Sequence, residues 1–233
     1  MLYEVRAEAV KFFNDIMKDK YMKRMFITRM EAPHDREDEK FTWHKSARRY
    51  WDRFMKEHGV FATCGASKAV FVFEDMDYVI KVPFANDSFD YCYKEVWVYK
   101  EAVEAGYDEV FAPCYILGHY RFYDGDQPFM FPFYAMLKLD CSGKSIARWA
   151  GDSNAHLYNS KESYDADSDD VVEMMDDYYG GDGWNIYDVV DWLYDHCDAS
   201  DLHGGNFGLN KDGRPMFVDY SGYGCSSFDP CMR

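Results

Sequence analysis

Aliphatic side chains are scarce in this sequence. Leu, Ile, Val and Phe together account for 48 of 233 residues, and only 8 of these are Leu. Low aliphatic content combined with a formal charge of −16 approaches the composition of chains that stay disordered. Twenty Tyr, thirteen Met and six Trp offset the shortage, so the expected core is aromatic and Met-rich, in one large domain or two small lobes. Long apolar runs are absent, and no membrane span is expected. The first residues, Met1-Leu-Tyr-Glu-Val-Arg6, lack the apolar stretch of a secretion signal. No Cys-x-x-Cys pair occurs among the seven scattered cysteines, which favours reduced thiols and a cytoplasmic setting over a disulfide framework or a zinc site. Excess positive charge is also missing, with 26 Lys+Arg against 42 Asp+Glu. The chain as a whole therefore repels phosphate backbones, and nucleic acid is not an expected partner.

What is present is unevenly distributed. Residues 1–58 carry 14 basic and 11 acidic side chains, whereas residues 151–183 hold ten acids against Lys161 alone. The opening segment reads as an N-terminal helical extension of two helices. Leu2, Val5, Ala9, Phe12, Phe13 and Ile16 recur at helical spacing. After a charged stretch containing Pro33, Thr42 can cap a second helix carrying Ala47, Tyr50, Trp51 and Phe54. Lys45, Arg48, Arg49, Arg53 and Lys56 on that helix make either a solvated face or a contact for an acidic partner or nucleic acid. From Gly59 strands are expected: Ala69–Phe73 and Tyr78–Val82 around a turn at Glu74–Asp77, then Cys114–Gly118 and Phe131–Leu139. Between them Ser88 opens a helix with a stripe of Cys92, Val96, Tyr99 and Val103, stopped by Gly106. The acidic stretch 151–183 reads as a surface insertion outside the core. Asn185 then caps a helix with a buried face of Ile186, Val189, Val190, Leu193 and Cys197. Short strands at Phe207–Leu209 and Pro215–Val218 follow, around a turn at Lys211–Gly213.

Several polar residues stand in an order that suggests chemistry. Asp201-Leu-His-Gly-Gly-Asn206 follows a helix, and Asp219 ends the β-like run Met216-Phe-Val-Asp219. One acid placed this way can orient a nucleophilic hydroxyl, while an amide and a second acid can hold a hard divalent cation through oxygen. Such a cation needs a polyphosphate to bridge. Phosphates in turn need backbone amides and a cation: Gly65-Ala-Ser-Lys68, with Ser67 and Lys68 counted beside Gly65 as cofactor-binding candidates, offers the amides, and Lys81 offers the cation. Lys81 sits in the apolar run Val79-Ile-Lys-Val82, and strand alternation would also allow it to face solvent. Glu95, one helix onward, is an available anion for it, with Glu101 and Glu104 as fallbacks.

Taken together, this order resembles the protein-kinase-like superfamily, and Asp201-Leu-His-Gly-Gly-Asn206 is similar to the matching motif of aminoglycoside-type phosphotransferases and of short phage and bacterial kinases. The interval from Asp201 to Asn206 is five and that from Asp201 to Asp219 is eighteen, as in that family. The resemblance covers roughly Gly59 to Gly224. It implies an α+β, bilobal protein-kinase-like fold: a small antiparallel-sheet N-lobe over residues 59–139 and a truncated, mainly helical C-lobe over 140–233. It implies ATP and Mg as cofactors, Asp201 as catalytic base, and Asn206 and Asp219 as metal ligands. Lys81 would clamp the α- and β-phosphates with Glu95 beside it, His203 would stand near the transferring phosphate, and Met136–Leu139, with Leu137 and Leu139, would meet adenine. The sequence departs from the pattern in having Gly65 alone in the glycine loop, Tyr220-Ser221 after Asp219, and only fourteen residues beyond Asp219.

The expected function is an ATP- and Mg-dependent phosphotransferase that moves the γ-phosphate to a hydroxyl of a protein or small molecule. The alternative is a catalytically inactive kinase-like module that holds a nucleotide or a partner protein. A third reading makes the acidic stretch a nucleic-acid mimic that sequesters a basic partner, against a plain solvated insertion.

Overall fold

The computed structural model describes residues 2–30, 45–64, 68–83, 89–142, 145–146, 148–149, 168–199, 202 and 204–221. Thr42 and Ser88, expected to cap helices, lie outside these residues, as do residues 151–167 of the acidic stretch. The fold is α+β. The helices are α1 (Leu2–Lys18), α2 (Lys20–Met30), α3 (Lys45–Glu57), α4 (Phe89–Ala105), α5 (Ser168–Tyr179) and α6 (Ile186–Cys197). The strands are β1 (Val60–Cys64), β2 (Lys68–Phe73), β3 (Tyr78–Pro83), β4 (Cys114–Asp124), β5 (Gln127–Leu137), β6 (Phe207–Leu209) and β7 (Pro215–Phe217). Strands β1–β5 form one antiparallel sheet in the order β1-β2-β3-β5-β4, and β6 pairs with β7 as a separate hairpin. Chain contacts divide the protein into two compact units, Met1–Tyr93 with Cys114–Met136, and Lys94–Pro113 with Leu137–Arg233.

In the first unit the helices of residues 1–58 and the sheet share one core. Phe13 of α1 is fully buried, with ring centroids of Phe71, Tyr120, Phe131 and Phe133 5.2–6.1 Å away. Phe12 meets Phe71 and Phe73 edge-on at 5.4 and 5.3 Å. These are the aromatic contacts that the composition called for in place of aliphatic ones. Helix α2 was not expected. Its first turn is capped by Asp19, whose carboxylate accepts from the Tyr21 and Met22 N–H groups at 2.9 Å each and from the Tyr50 hydroxyl of α3 at 2.5 Å. Burial raises the Asp19 carboxyl, but these three donors outweigh it and hold the group below the usual carboxylate range. Met22, Phe26 and Ile27 supply α2's buried side. On the sheet, β4 bulges between Ile116 and Gly118, where Gly118 takes φ 125°. The Leu117 carbonyl freed there accepts from Arg6 Nε of α1 at 2.8 Å.

Two further expectations are corrected. The buried face of α4 is Cys92, Glu95, Val98, Tyr99 and Ala102, while Val103 is 48% exposed. The expected stripe followed the apolar letters and so missed the polar Glu95 on the inward side. The acidic stretch, expected to lie outside the core, ends in α5, which buries Val171, Val172, Met174, Met175 and Tyr179. Those residues recur at helical spacing, but the carboxylates between them lower the mean hydropathy of the window and mask the stripe. Helix α6 matches its expectation. Asn185 caps it by accepting from the Tyr187 N–H at 3.1 Å, and Ile186, Val189, Val190, Leu193 and Cys197 are buried. The carboxylate of Asp176 on α5 takes the Ile186 N–H at 3.0 Å, which ties the two helices together.

Candidate functional site

Within the first unit, the register of the sheet places two lysines. Lys68 pairs with Pro83, and Val70 with Lys81. Paired residues, and residues two apart on one strand, point to the same side, so Lys68 and Lys81 share a face. Ile80 and Val82 point to the opposite face and join the aromatic core with α1 and α2. Lys81 does not face solvent: it is 5% exposed, and Lys68 is 3% exposed. The Lys81 ammonium stands 5.9 Å from the ring centre of Tyr134 on β5, a fully buried tyrosine. Burying an ammonium at this depth costs free energy unless an acceptor or a negative charge meets it. Gly65 and Ser67 lie outside the described residues.

Within the second unit, the β6–β7 hairpin brings together two of the expected positions. Asn206 (4% exposed) immediately precedes β6, and Asp219 follows β7 by two residues. Phe207 pairs with Phe217, and the Val218 N–H donates to the Asn206 carbonyl at 2.8 Å, so Asn206 and Asp219 stand at the same end of the hairpin. Asp219 takes φ +54°, one of two non-glycine residues with positive φ among those described; the other is Asp198. A left-handed non-glycine residue costs on the order of 1 kcal/mol or more, and persists where its neighbours fix it. Here the neighbours do. The Phe217 carbonyl accepts from the Ala112 N–H at 2.9 Å, and the buried Tyr220 hydroxyl donates to the Ala112 carbonyl at 2.7 Å.

The segment after β5 lies on this hairpin. Asp140 and Leu209 exchange backbone hydrogen bonds of 2.8 and 3.1 Å. A side chain at Gly208 would come within 2.7 Å of Cys141 Sγ and 2.9 Å of Leu139 Cβ, so only glycine allows the approach. Leu139 is thereby held against the strand that follows Asn206, and the Leu137 N–H is tied to the Pro113 carbonyl at 2.8 Å. Asp140 caps the turn beyond, accepting from the Ser142 N–H at 2.9 Å and from Ser145 Oγ at 2.5 Å. Burial raises its carboxyl, and the Ser145 and Ser142 bonds more than offset this, leaving it below the usual range. Glu95 on α4 is completely buried. Asp201 and His203 lie outside the described residues, while Leu202 between them is buried.

The donors present fit a magnesium ion: one amide oxygen and one carboxylate, both hard, at a fixed hairpin end. Mg²⁺ is ordinarily held by one or two carboxylates plus phosphates and water, not by a full protein cage. No cluster of three or more His, Cys, Asp or Glu suited to a metal occurs among the described residues. The sequence reading missed Lys94, a third buried lysine, 2% exposed and next to Glu95 in the sequence. Its flanks, Lys94-Glu95 within an otherwise apolar helix face, were the available signal. Comparison with known proteins finds no matching family model and no matching curated sequence. No helix among the described residues is long and apolar enough to cross a membrane.

Proposed function

We propose that the protein is an ATP- and Mg-dependent phosphotransferase with a bilobal, protein-kinase-like fold, acting on a hydroxyl of a protein or small molecule in the cytoplasm. The observation that carries this reading is Asp219. It is a carboxylate held in a left-handed conformation at the end of a hairpin, level with Asn206, on the hairpin that also holds Leu139. Strain of this kind is retained where a side chain must be aimed. The division into two compact units and the pair of buried lysines on one sheet face support the same reading. The scattered cysteines, with no Cys-x-x-Cys pair in the sequence, suit a reducing compartment.

In this reading Asn206 and Asp219 hold the metal, which when bound neutralises charge on the phosphates. Lys81, with Lys68 on the same face and Glu95 as the helix acid, binds the phosphate chain. Leu137 and Leu139 cover the base. Asp201 accepts the proton of the attacking hydroxyl, and His203 lies close to the group in flight. Catalysis of this type is positioning and electrostatics, so rigid support of each side chain matters more than its intrinsic reactivity.

The test is phosphate transfer or release from radiolabelled ATP with Mg²⁺, comparing wild type with Asp219→Asn and Asp201→Ala. Asp201→Ala should lose roughly 10²–10⁴-fold in turnover, the usual worth of a general base, and Asp219→Asn should lose turnover by removing a metal-ligating carboxylate, both keeping the wild-type melting temperature within a few degrees. Nucleotide binding without turnover in wild type would replace this reading by that of a binding module.

A further inference from the structure

Helix α4 grips the end of α6 along one face. The Lys94 ammonium donates to the Asp198 carbonyl at 2.6 Å. Three residues on, the Trp97 indole stacks on His196 with ring centres 6.1 Å apart, and Trp192 stacks on the same imidazole at 5.7 Å. Four further on, Glu101 Oε2 lies 3.0 Å from His196 Nε2. Positions i, i+3 and i+7 of one helix thus hold the last turns and the cap of another. Trp97, His196 and Glu101 are ordinary packing at a partly exposed seam. Lys94 is different, because its charge is buried.

Asp198 is where α6 stops. It takes φ 49° and ψ 44°, its N–H returns to Tyr194, and the Ala199 N–H returns to Leu193. Helices commonly end this way on glycine, which adopts the conformation without strain. A left-handed aspartate fixed by a buried ammonium is a costlier way to turn a corner, and what it gains is a defined exit direction. The two non-glycine left-handed residues, Asp198 and Asp219, bracket the segment that contains Asp201 and Asn206.

We propose that Lys94 is a positioning residue for phosphoryl transfer. By anchoring the Asp198 carbonyl it sets where the chain leaves α6, three residues before Asp201. This proposal rests on the phosphotransferase reading of the site. Because Lys94 lies on the route to the general base and not among the nucleotide's contacts, its loss should affect the chemical step more than ATP binding.

The experiment uses the full chain with ATP and Mg²⁺, comparing wild type with Lys94→Met, which keeps the volume and removes the charge. Turnover per folded molecule should fall roughly 10–100-fold, the scale of a displacement of about 1 Å, with KM for ATP changed less than about twofold. Amide hydrogen exchange should accelerate in the peptide spanning 198–209 and stay unchanged across 69–82. If Lys94→Met does not fold, Lys94→Arg keeps the charge with a longer reach and should still lower turnover roughly three- to tenfold. Normal turnover per folded molecule, or a rise in KM matching the fall in kcat, overturns the role of Lys94 and leaves the phosphotransferase reading standing. Wild type without ATP turnover sinks that reading and the positioning role with it. In that case faster exchange in 198–209 would mark Lys94 as an anchor of the fold only.

Discussion

Tyr179 shows how much one buried hydroxyl does in the second unit. Its proton lies within reach of the Pro215 carbonyl at 2.7 Å and the Glu109 carbonyl at 3.2 Å, and Arg214 Nε donates to its oxygen at 3.1 Å. Arg214 also pairs with the Glu109 carboxylate. One residue of α5 therefore fixes β7, the strand that leads to Asp219. Burial pushes the phenol up to about 12, against the pull of the Arg214 guanidinium. An unfolded tyrosine titrates near 10, so the folded state favours the protonated phenol. That contribution is complete below pH about 10 and is lost as pH rises towards about 12. Tyr179→Phe should cost about 1–3 kcal/mol at neutral pH, because it leaves buried acceptors and a donor unsatisfied. It should also flatten the decline in stability between pH about 10 and about 12. Urea midpoints for both proteins across that range check both effects, and parallel alkaline curves would show that this phenol does not drive the decline.

At the scale of elements, success and failure in reading the sequence have separate physical causes. Helix α6 was legible because cap, stripe and charge agree. Asn185 lies at the start, Asp188 in the first turn, and five apolar residues repeat on one side. The β2–β3 and β6–β7 hairpins were legible for the same reason, with apolar β-formers on either side of turn residues. Helix α2 was not, because Lys20-Tyr-Met-Lys-Arg-Met-Phe interleaves charge with apolar residues, and its cap, Asp19, also serves Tyr50 from a distant helix. Helix α5 was hidden by its own acids. Of the candidate site, the ordered spacing of Asn206 and Asp219 was readable, but the left-handed backbone at Asp219 and the anchor at Lys94 depend on contacts from residues far along the chain. The status of α5 has a direct test. Met175→Ala should cost about 2–5 kcal/mol, as for other buried methionines, whereas Glu173→Ala on the exposed side should stay within about 0.5 kcal/mol. Chemical denaturation of the two variants decides it. Equal, small effects would return α5 to the solvated insertion that its charge suggested.

For the molecule as a whole, the shortage of aliphatic residues has a structural consequence. The five-stranded sheet builds its core-facing surface from Phe71, Phe73, Ile80, Val82, Phe131, Phe133 and Ala135, and α1–α3 cover that surface with Phe12, Phe13, Ile16, Phe26 and Phe54. Rings this large bury roughly 150–250 Å² each, so few residues account for much of the apolar area, and losing any one of them is felt. Phe13→Ala should cost about 3–5 kcal/mol, as truncation of a buried aromatic does. The stronger prediction concerns the first 58 residues, which the sequence presented as an extension and whose helices α1–α3 the structure packs into the core. A chain beginning at Gly59 keeps every residue proposed for the site, yet it would expose one whole aromatic face of the sheet, and contiguous apolar surface of that extent drives association. It should aggregate or bind a hydrophobic dye strongly when expressed alone. Adding a separate peptide of residues 1–58 should recover soluble, folded material. A monomeric, cooperatively melting 59–233 protein would mean that something other than α1–α3 covers the sheet, and that the aromatic core forms without Phe12, Phe13 and Phe26.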